Sequence, residues 1–232
     1  MKINRLALRL CMCALVLLRA LSLYADGKDS LSRKMIHMAG IDVKPAYVFP
    51  THEFFAGNNA TFSPIRKNLS VHLKYGFKFA PDTYFGRMYP HAVQGIGVGY
   101  NTFFHSSELG NPWSVYAFQT SRIASLTPRL SLDYEWNFGA SFGWKKYDAE
   151  SNPYNRVVGS KMNAYIHLSF LLNWQLDAQT NLRAGIGATH FSNGNTGYPN
   201  AGVNAFGASI GLTRYFGGTS RAALADGSSG LV

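Results

Sequence analysis

The chain has 232 residues, 47% of them hydrophobic and 14% aromatic, with 23 glycines and only 15% charged residues. Both cysteines, Cys11 and Cys13, fall within the first 25 residues, which excludes a disulfide framework and thiol chemistry from the rest. Beyond that stretch no apolar run approaches the roughly 18 residues of a spanning helix, so a membrane could be crossed only by strands closed into a barrel.

Residues 1–25 read as a secretory signal. Lys2, Arg5 and Arg9 form a basic leader, residues 10–18 an apolar core, and Leu23-Tyr24-Ala25 a cleavage site before Asp26. Removing Lys2, Arg5, Arg9 and Arg19 lowers the formal charge from +10 to +6, still basic enough to favour an anionic partner such as lipid headgroups. Residues 43–49 form a short first strand candidate, interrupted by Pro45. A polar loop follows, and residues 69–79 then alternate. Leu69, Val71, Leu73, Tyr75, Phe77 and Phe79 share one face; Ser70, His72, Lys74, Gly76 and Lys78 share the other.

In residues 92–104 Ile96, Val98 and Tyr100 alternate with Gly95, Gly97 and Gly99. Glycines at period two with no helix pattern after them exclude a dinucleotide-binding loop and suit a crowded barrel lumen. Residues 113–120 are a weaker strand. Residues 130–144 and 162–176 alternate clearly and are separated by a polar loop. The last two strands run up to Ser192 and from Gly202 to Phe216. Residues 217–232 are mostly small and are expected to be a disordered tail. His105-Ser106-Ser107-Glu108 looks triad-like but sits at a predicted hairpin tip. No histidine shows metal-ligand spacing, so no metal site is expected.

Eight strand candidates, several longer than soluble sheets use, predict an eight-stranded antiparallel transmembrane β-barrel of the outer membrane, all-β, in one domain over residues 26–216. A soluble, lipocalin-like barrel that binds an apolar ligand in its lumen is the rival fold. Trp144, Trp174 and Phe216 are expected in aromatic girdles at the strand ends. Lys74, Lys78 and Arg183 are expected to pair with Asp133 and Glu135 inside the lumen. With both termini periplasmic, strand seven runs outward, and the loop after Ser192 is extracellular. Arg66, Lys67, Lys145, Lys146 and Arg156 lie in loops on that side and suit phosphates.

His190 and Ser192 share the apolar, lipid-facing side of strand seven with Ala184, Ile186 and Ala188. Asn204 lies in line with Phe206, Ala208 and Ile210 on strand eight. A serine needs a neighbouring base to attack an ester, and the base needs a group that holds its tautomer. Asn193, Gly194, Asn200 and Gly202 surround the pair with candidate oxyanion donors.

His190-Phe191-Ser192-Asn193-Gly194, followed by Pro199-Asn200-Ala201-Gly202-Val203-Asn204, resembles the signature of the outer-membrane lipid A 3-O-deacylases of the PagL type, an acyloxyacyl hydrolase family. The resemblance implies an esterase that removes the ester-linked acyl chain at the 3-position of lipid A. It also implies His190 as base, Ser192 as nucleophile, and Asn200 with Asn193 at the oxyanion. The family's third triad member is a glutamate, and this chain carries Asn204 there. Lipid A, or whole lipopolysaccharide, is the implied partner, with no nucleic acid and no cofactor; the oligomeric state is left open. The alternative expectation is a non-catalytic outer-membrane barrel, lipid-binding or structural, whose site is degenerate at Asn204.

Overall fold

The computed structural model describes residues 35–217; the signal segment 1–25 and the tail from residue 218 lie outside the described residues. Eight strands follow in order: β1 (Met35–Val48), β2 (Lys67–Phe79), β3 (Val93–Thr102), β4 (Gly110–Thr127), β5 (Leu130–Trp144), β6 (Met162–Gln175), β7 (Thr180–Ser192) and β8 (Val203–Phe216). Each pairs antiparallel with its neighbour in sequence, and β1 pairs with β8 from His37↔Phe216 to Val48↔Ala205, which closes the barrel. Closure leaves no strand edge unpaired, so the backbone is satisfied without water. Two short helices decorate the connections: α1 (Glu53–Ala56) between β1 and β2, and α2 (Tyr84–Met88) between β2 and β3.

The period-two alternation sets inside against outside. Leu73, Ile96, Val98, Val115, Phe138, Leu168, Phe170, Ile186 and Ile210 all stand exposed on the outer wall and form an apolar belt around the barrel. A belt of that extent on a soluble surface would be an aggregation hazard; against lipid it is the favourable face. Gly97 and Gly99 face inward, as expected. A Cβ on Gly97 would meet the Tyr116 ring at 2.4 Å, and one on Gly99 the His72 ring at 2.5 Å.

Three details differ from the sequence reading. First, β1 begins at Met35, well before residue 43, because small and apolar residues alternate poorly there. Met38, Ala39 and Gly40 are buried in succession. Pro45 is tolerated where the β1–β8 ladder lapses between Val43↔Ile210 and Ala46↔Gly207. Second, β4 runs on to Thr127. Register shifts between Arg122 and Ala124 and between Ser125 and Thr127 break its alternation. Third, Trp144 is not a girdle residue. Gly143 adopts φ +88°, which reverses the side, so Phe142 faces out and Trp144 turns in at 2% exposure. Phe216 is likewise mostly covered, stacked on His37 with centroids 5.8 Å apart. Trp174 alone of the three lies on the outer wall, 53% exposed.

The lumen is filled in layers. Phe103, Trp144, Tyr165 and Phe191 pack ring against ring near one end, with centroids 5.1 to 6.2 Å apart. Below them Glu135 binds Lys74 (2.8 Å), the Thr120 hydroxyl (2.9 Å) and the Arg183 guanidinium, and Lys74 also bridges to Asp42. The expected pairing therefore holds for Glu135, but Asp133 and Lys78 pair differently. Asp133 accepts from Ser131 Oγ (2.7 Å) and Asn173 Nδ2 (2.8 Å), and Lys78 lies 5.5 Å from the Tyr215 ring centroid. Polar neighbours one or two residues away along the ladder satisfy Asp133 before a long cation can reach it.

Glu135→Gln keeps the shape and removes the charge, leaving Lys74 and Arg183 buried with Asp42 alone. Stability should fall by about 3–5 kcal/mol, read as a lower urea midpoint for unfolding from lipid vesicles. An unchanged midpoint would mean that lumen water, not Glu135, compensates the two cations.

Candidate active site

β7 carries the site at its final turn of alternation. Ala184, Ile186 and Ala188 point outward and are exposed, while Arg183 and Phe191 point inward and are buried. His190 and Ser192 continue the outward series and are half-buried. The ladders place His190 between Ile166 on β6 and Asn204 on β8, and Ser192 beside Ala164. On β8, Asn204 shares the outer face with exposed Phe206, Ala208 and Ile210. Three polar side chains thus meet at the rim of an apolar wall.

His190 Nδ1 lies 2.7 Å from Asn204 Oδ1. An amide oxygen can only accept, so Nδ1 carries the proton and Nε2 keeps its lone pair. That is the tautomer a general base needs. Asn204 is itself fixed from behind: its carbonyl accepts from the Phe49 N–H at 2.9 Å, a bond that exists only because β1 closes against β8.

After Ser192 the chain bends through Gly194 and Asn195, both at positive φ (62° and 66°). The bend brings the Gly194 N–H to Ser192 Oγ at 3.2 Å. Among the described residues no hydrogen bond joins His190 to Ser192, although the two share a face. Gly202 packs against both. Its φ of +72° suits glycine, and a Cβ there would lie 3.2 Å from His190 Cε1 and 3.6 Å from Ser192 Cβ.

The two candidate asparagines differ in their engagement. Asn193 is committed to its loop: Nδ2 donates to the Gly197 carbonyl (2.7 Å) and Oδ1 accepts from the Asn195 N–H (3.0 Å). Asn200 Oδ1 accepts from the Asn193 N–H at 3.1 Å, which orients the amide and leaves Nδ2 with no protein acceptor among the described residues. One donor therefore remains available beside the serine.

The sequence reading did not find the apolar partners of the site. Ala164 and Ile166 come from β6, where the ladder sets them beside Ser192 and His190. Alternation marked them as outward-facing, but nothing in one strand's pattern states which neighbour's residues stand beside His190. His105 and Glu108 occupy the β3–β4 loop as expected. Glu108 Oε1 accepts from the Ala60 N–H at 3.0 Å and ties two loops together. Among the described residues no group of three or more His, Cys, Asp or Glu could hold a metal.

A family model described as lipid A 3-O-deacylase (PagL) matches residues 94–213, a span that contains His190, Ser192, Asn193, Asn200 and Asn204. Three solved structures are similar at low identity. The outer membrane enzyme PagL matches at 12% identity over 74% of this chain and 97% of that one, with a TM-score of 0.48. Neisserial surface protein A (NspA) matches at 9% over 78% and 96%, TM-score 0.48. The N-terminal β-barrel domain of Pseudomonas aeruginosa OprF matches at 8% over 79% and 98%, TM-score 0.44. Among curated proteins nothing matches.

Proposed function

The chain belongs to the lipid A 3-O-deacylase (PagL) family, and on that premise we propose that it is an outer-membrane esterase that hydrolyses an ester-linked acyl chain of lipid A through His190 and Ser192. The observation that carries this reading is the His190–Asn204 hydrogen bond on the lipid-facing wall, beside Ser192. A soluble esterase would place such a group in a cleft; here it meets acyl chains lying along the barrel.

The orientation follows from the connections. At the end holding His190 lie the longer loops, 49–66, 145–161 and 193–202. The opposite end has the 80–92 connection that carries α2, tight turns at 128–129 and 176–179, and both termini of the described chain, so it holds less loop in total. Long extracellular loops with short periplasmic turns are the rule for such barrels, so the site faces the outer leaflet. There Arg66, Lys67, Lys145, Lys146 and Arg156 would meet the phosphates of lipid A. Export by residues 1–25 and a single barrel domain over 26–216 belong to the same proposal.

His190 Nε2 takes the proton from Ser192 Oγ as the oxygen attacks the ester carbonyl. The oxyanion that forms is held by Asn200 Nδ2, which the Asn193 N–H has turned toward it; Asn193 thereby acts as a positioning residue. The alkoxide of the sugar leaves with the proton from His190, and water then releases the fatty acid from Ser192 by the same route in reverse. These steps use side chains and water only. The missing His190–Ser192 hydrogen bond is the contact that substrate is expected to tighten.

Lipid A mass spectrometry from a Gram-negative host expressing the chain tests the reading. A species lighter by one hydroxyacyl chain supports it. Unchanged lipid A, with the barrel shown in the outer membrane by heat-modifiable migration, would reject deacylation. It would favour the non-catalytic barrel, for which neutral Asn204 is the specific argument.

A further inference from the structure

The end of the barrel opposite His190 contains a cavity of about 380 Å³. Asn181 and Arg183 of β7 line it, roughly 30 to 36 Å along the strand from Ser192 at 3.3 Å per residue, so no single acyl-ester geometry spans both. Its lining is strongly one-signed. Lys78, Arg87, Arg122, Arg129 and Arg183 all border it, with His91 at the rim, against a single carboxylate, Asp133.

That carboxylate is already committed to Ser131 and Asn173. Of the five permanent cations, only Arg183 makes an ion pair among the described residues, and its partner Glu135 is shared with Lys74. Arg87 spends one nitrogen on the Asp82 carbonyl (2.8 Å) and Arg122 one on Ser125 Oγ (3.3 Å). Arg183, 4% exposed, and Thr213, 2% exposed, each keep a polar atom, Nε and Oγ1, with no partner. Deeper in the lumen Lys44 Nζ also lacks a hydrogen-bond partner, near the network in which Lys74 joins Asp42 and Glu135. Burial, then Arg122 and Lys78, hold the His91 imidazole below its ordinary range, as a pocket of positive potential would.

Like charges gathered in a low-dielectric recess repel one another and focus the field on whatever anion enters. Arginine forks match phosphate oxygens in pairs, and the volume suits a small ligand rather than a single halide. We propose that the periplasmic mouth of the barrel is a binding site for a phosphate-bearing anion of pyrophosphate size or larger. The anion is either a soluble periplasmic compound or the headgroup phosphate of an inner-leaflet phospholipid. The lower lumen would then be loaded from the periplasm, independently of the reaction on the outer wall.

The test is calorimetric titration of inorganic pyrophosphate into the full-length mature barrel in zwitterionic detergent. Saturable binding is expected, weakened tenfold or more in the double variant Arg122→Gln/Arg129→Gln, as loss of charge-assisted hydrogen bonds implies. Both residues are at least partly exposed, so the variant should fold, which heat-modifiable migration checks. Lys161→Gln, an exposed cation at the far end to which no ligand has been assigned, should bind like the parent. Repeating the titration in phosphatidylcholine nanodiscs with and without phosphatidylglycerol separates the sources. Binding abolished by phosphatidylglycerol supports the site and assigns it to a lipid headgroup; binding that survives supports it and assigns a soluble ligand. No saturable binding by the folded parent, or equal binding by the Arg122/Arg129 variant, overturns the proposal.

Discussion

Ser192→Ala is expected to reduce lipid A deacylation by roughly 10³-fold or more, to the level of cells without the protein. Ser192 supplies the atom that would become acylated, and no neighbouring hydroxyl can replace it. On β7 the next outward position is Ala188 beyond His190, and across the ladder Ser192 faces Ala164. Alanine also removes the acceptor that the Gly194 N–H now uses at 3.2 Å. That amide sits at an exposed glycine and can turn to water, so folding should be unchanged. Equal heat-modifiable migration of parent and variant separates lost chemistry from lost structure. Retained activity in Ser192→Ala would exclude Ser192 as nucleophile whatever the family.

Asn204→Glu should raise the rate, by about 5- to 30-fold. The present amide orients His190 but carries no charge, so it contributes nothing extra when the ring becomes cationic during attack. A carboxylate at the same 2.7 Å would form a charge-assisted bond at that moment. Such bonds exceed neutral ones by about 1–2 kcal/mol, which sets the expected gain. The Phe49 N–H fixes the backbone of residue 204 whatever its side chain, and the extra methylene of glutamate has to be taken up by its rotamer for the carboxylate to reach Nδ1. The readout is initial rate on purified lipid A in mixed micelles. Activity appearing only in Asn204→Glu would identify a decayed enzyme on an intact scaffold. A fall in rate would mean that the local polarity around His190 is built for an uncharged partner.

Much of this protein was legible in one dimension. The alternation in residues 69–79, 130–142 and 162–176 placed the inner and outer faces correctly, because a strand's side chains can point only two ways. It failed where the backbone departs from a regular strand. At Gly143 a positive φ turned Trp144 from the predicted girdle into the lumen, and bulges after Arg122 hid the second half of β4. His190, Ser192 and Asn204 were named from their outward series and their flanking pattern, and the ladder β7–β8 sets His190 opposite Asn204. The different hydrogen-bonding of Asn193 and Asn200 was not legible. It depends on which backbone group each amide meets, the Gly197 carbonyl for Asn193 and the Asn193 N–H for Asn200, and no periodicity encodes that.

The chain's own order of residues determined the strand count, the greasy outer wall and the polar triplet at its rim, since these follow from local periodicity. Closure of β1 on β8 decided the rest. It joined Phe49 to Asn204 and stacked Lys74, Glu135 and Arg183 into one buried network. It also gathered Lys78, Arg122, Arg129 and Arg183 from three strands and one turn around one mouth. Those neighbours are far apart in sequence, and their meeting depends on the register of eight ladders at once.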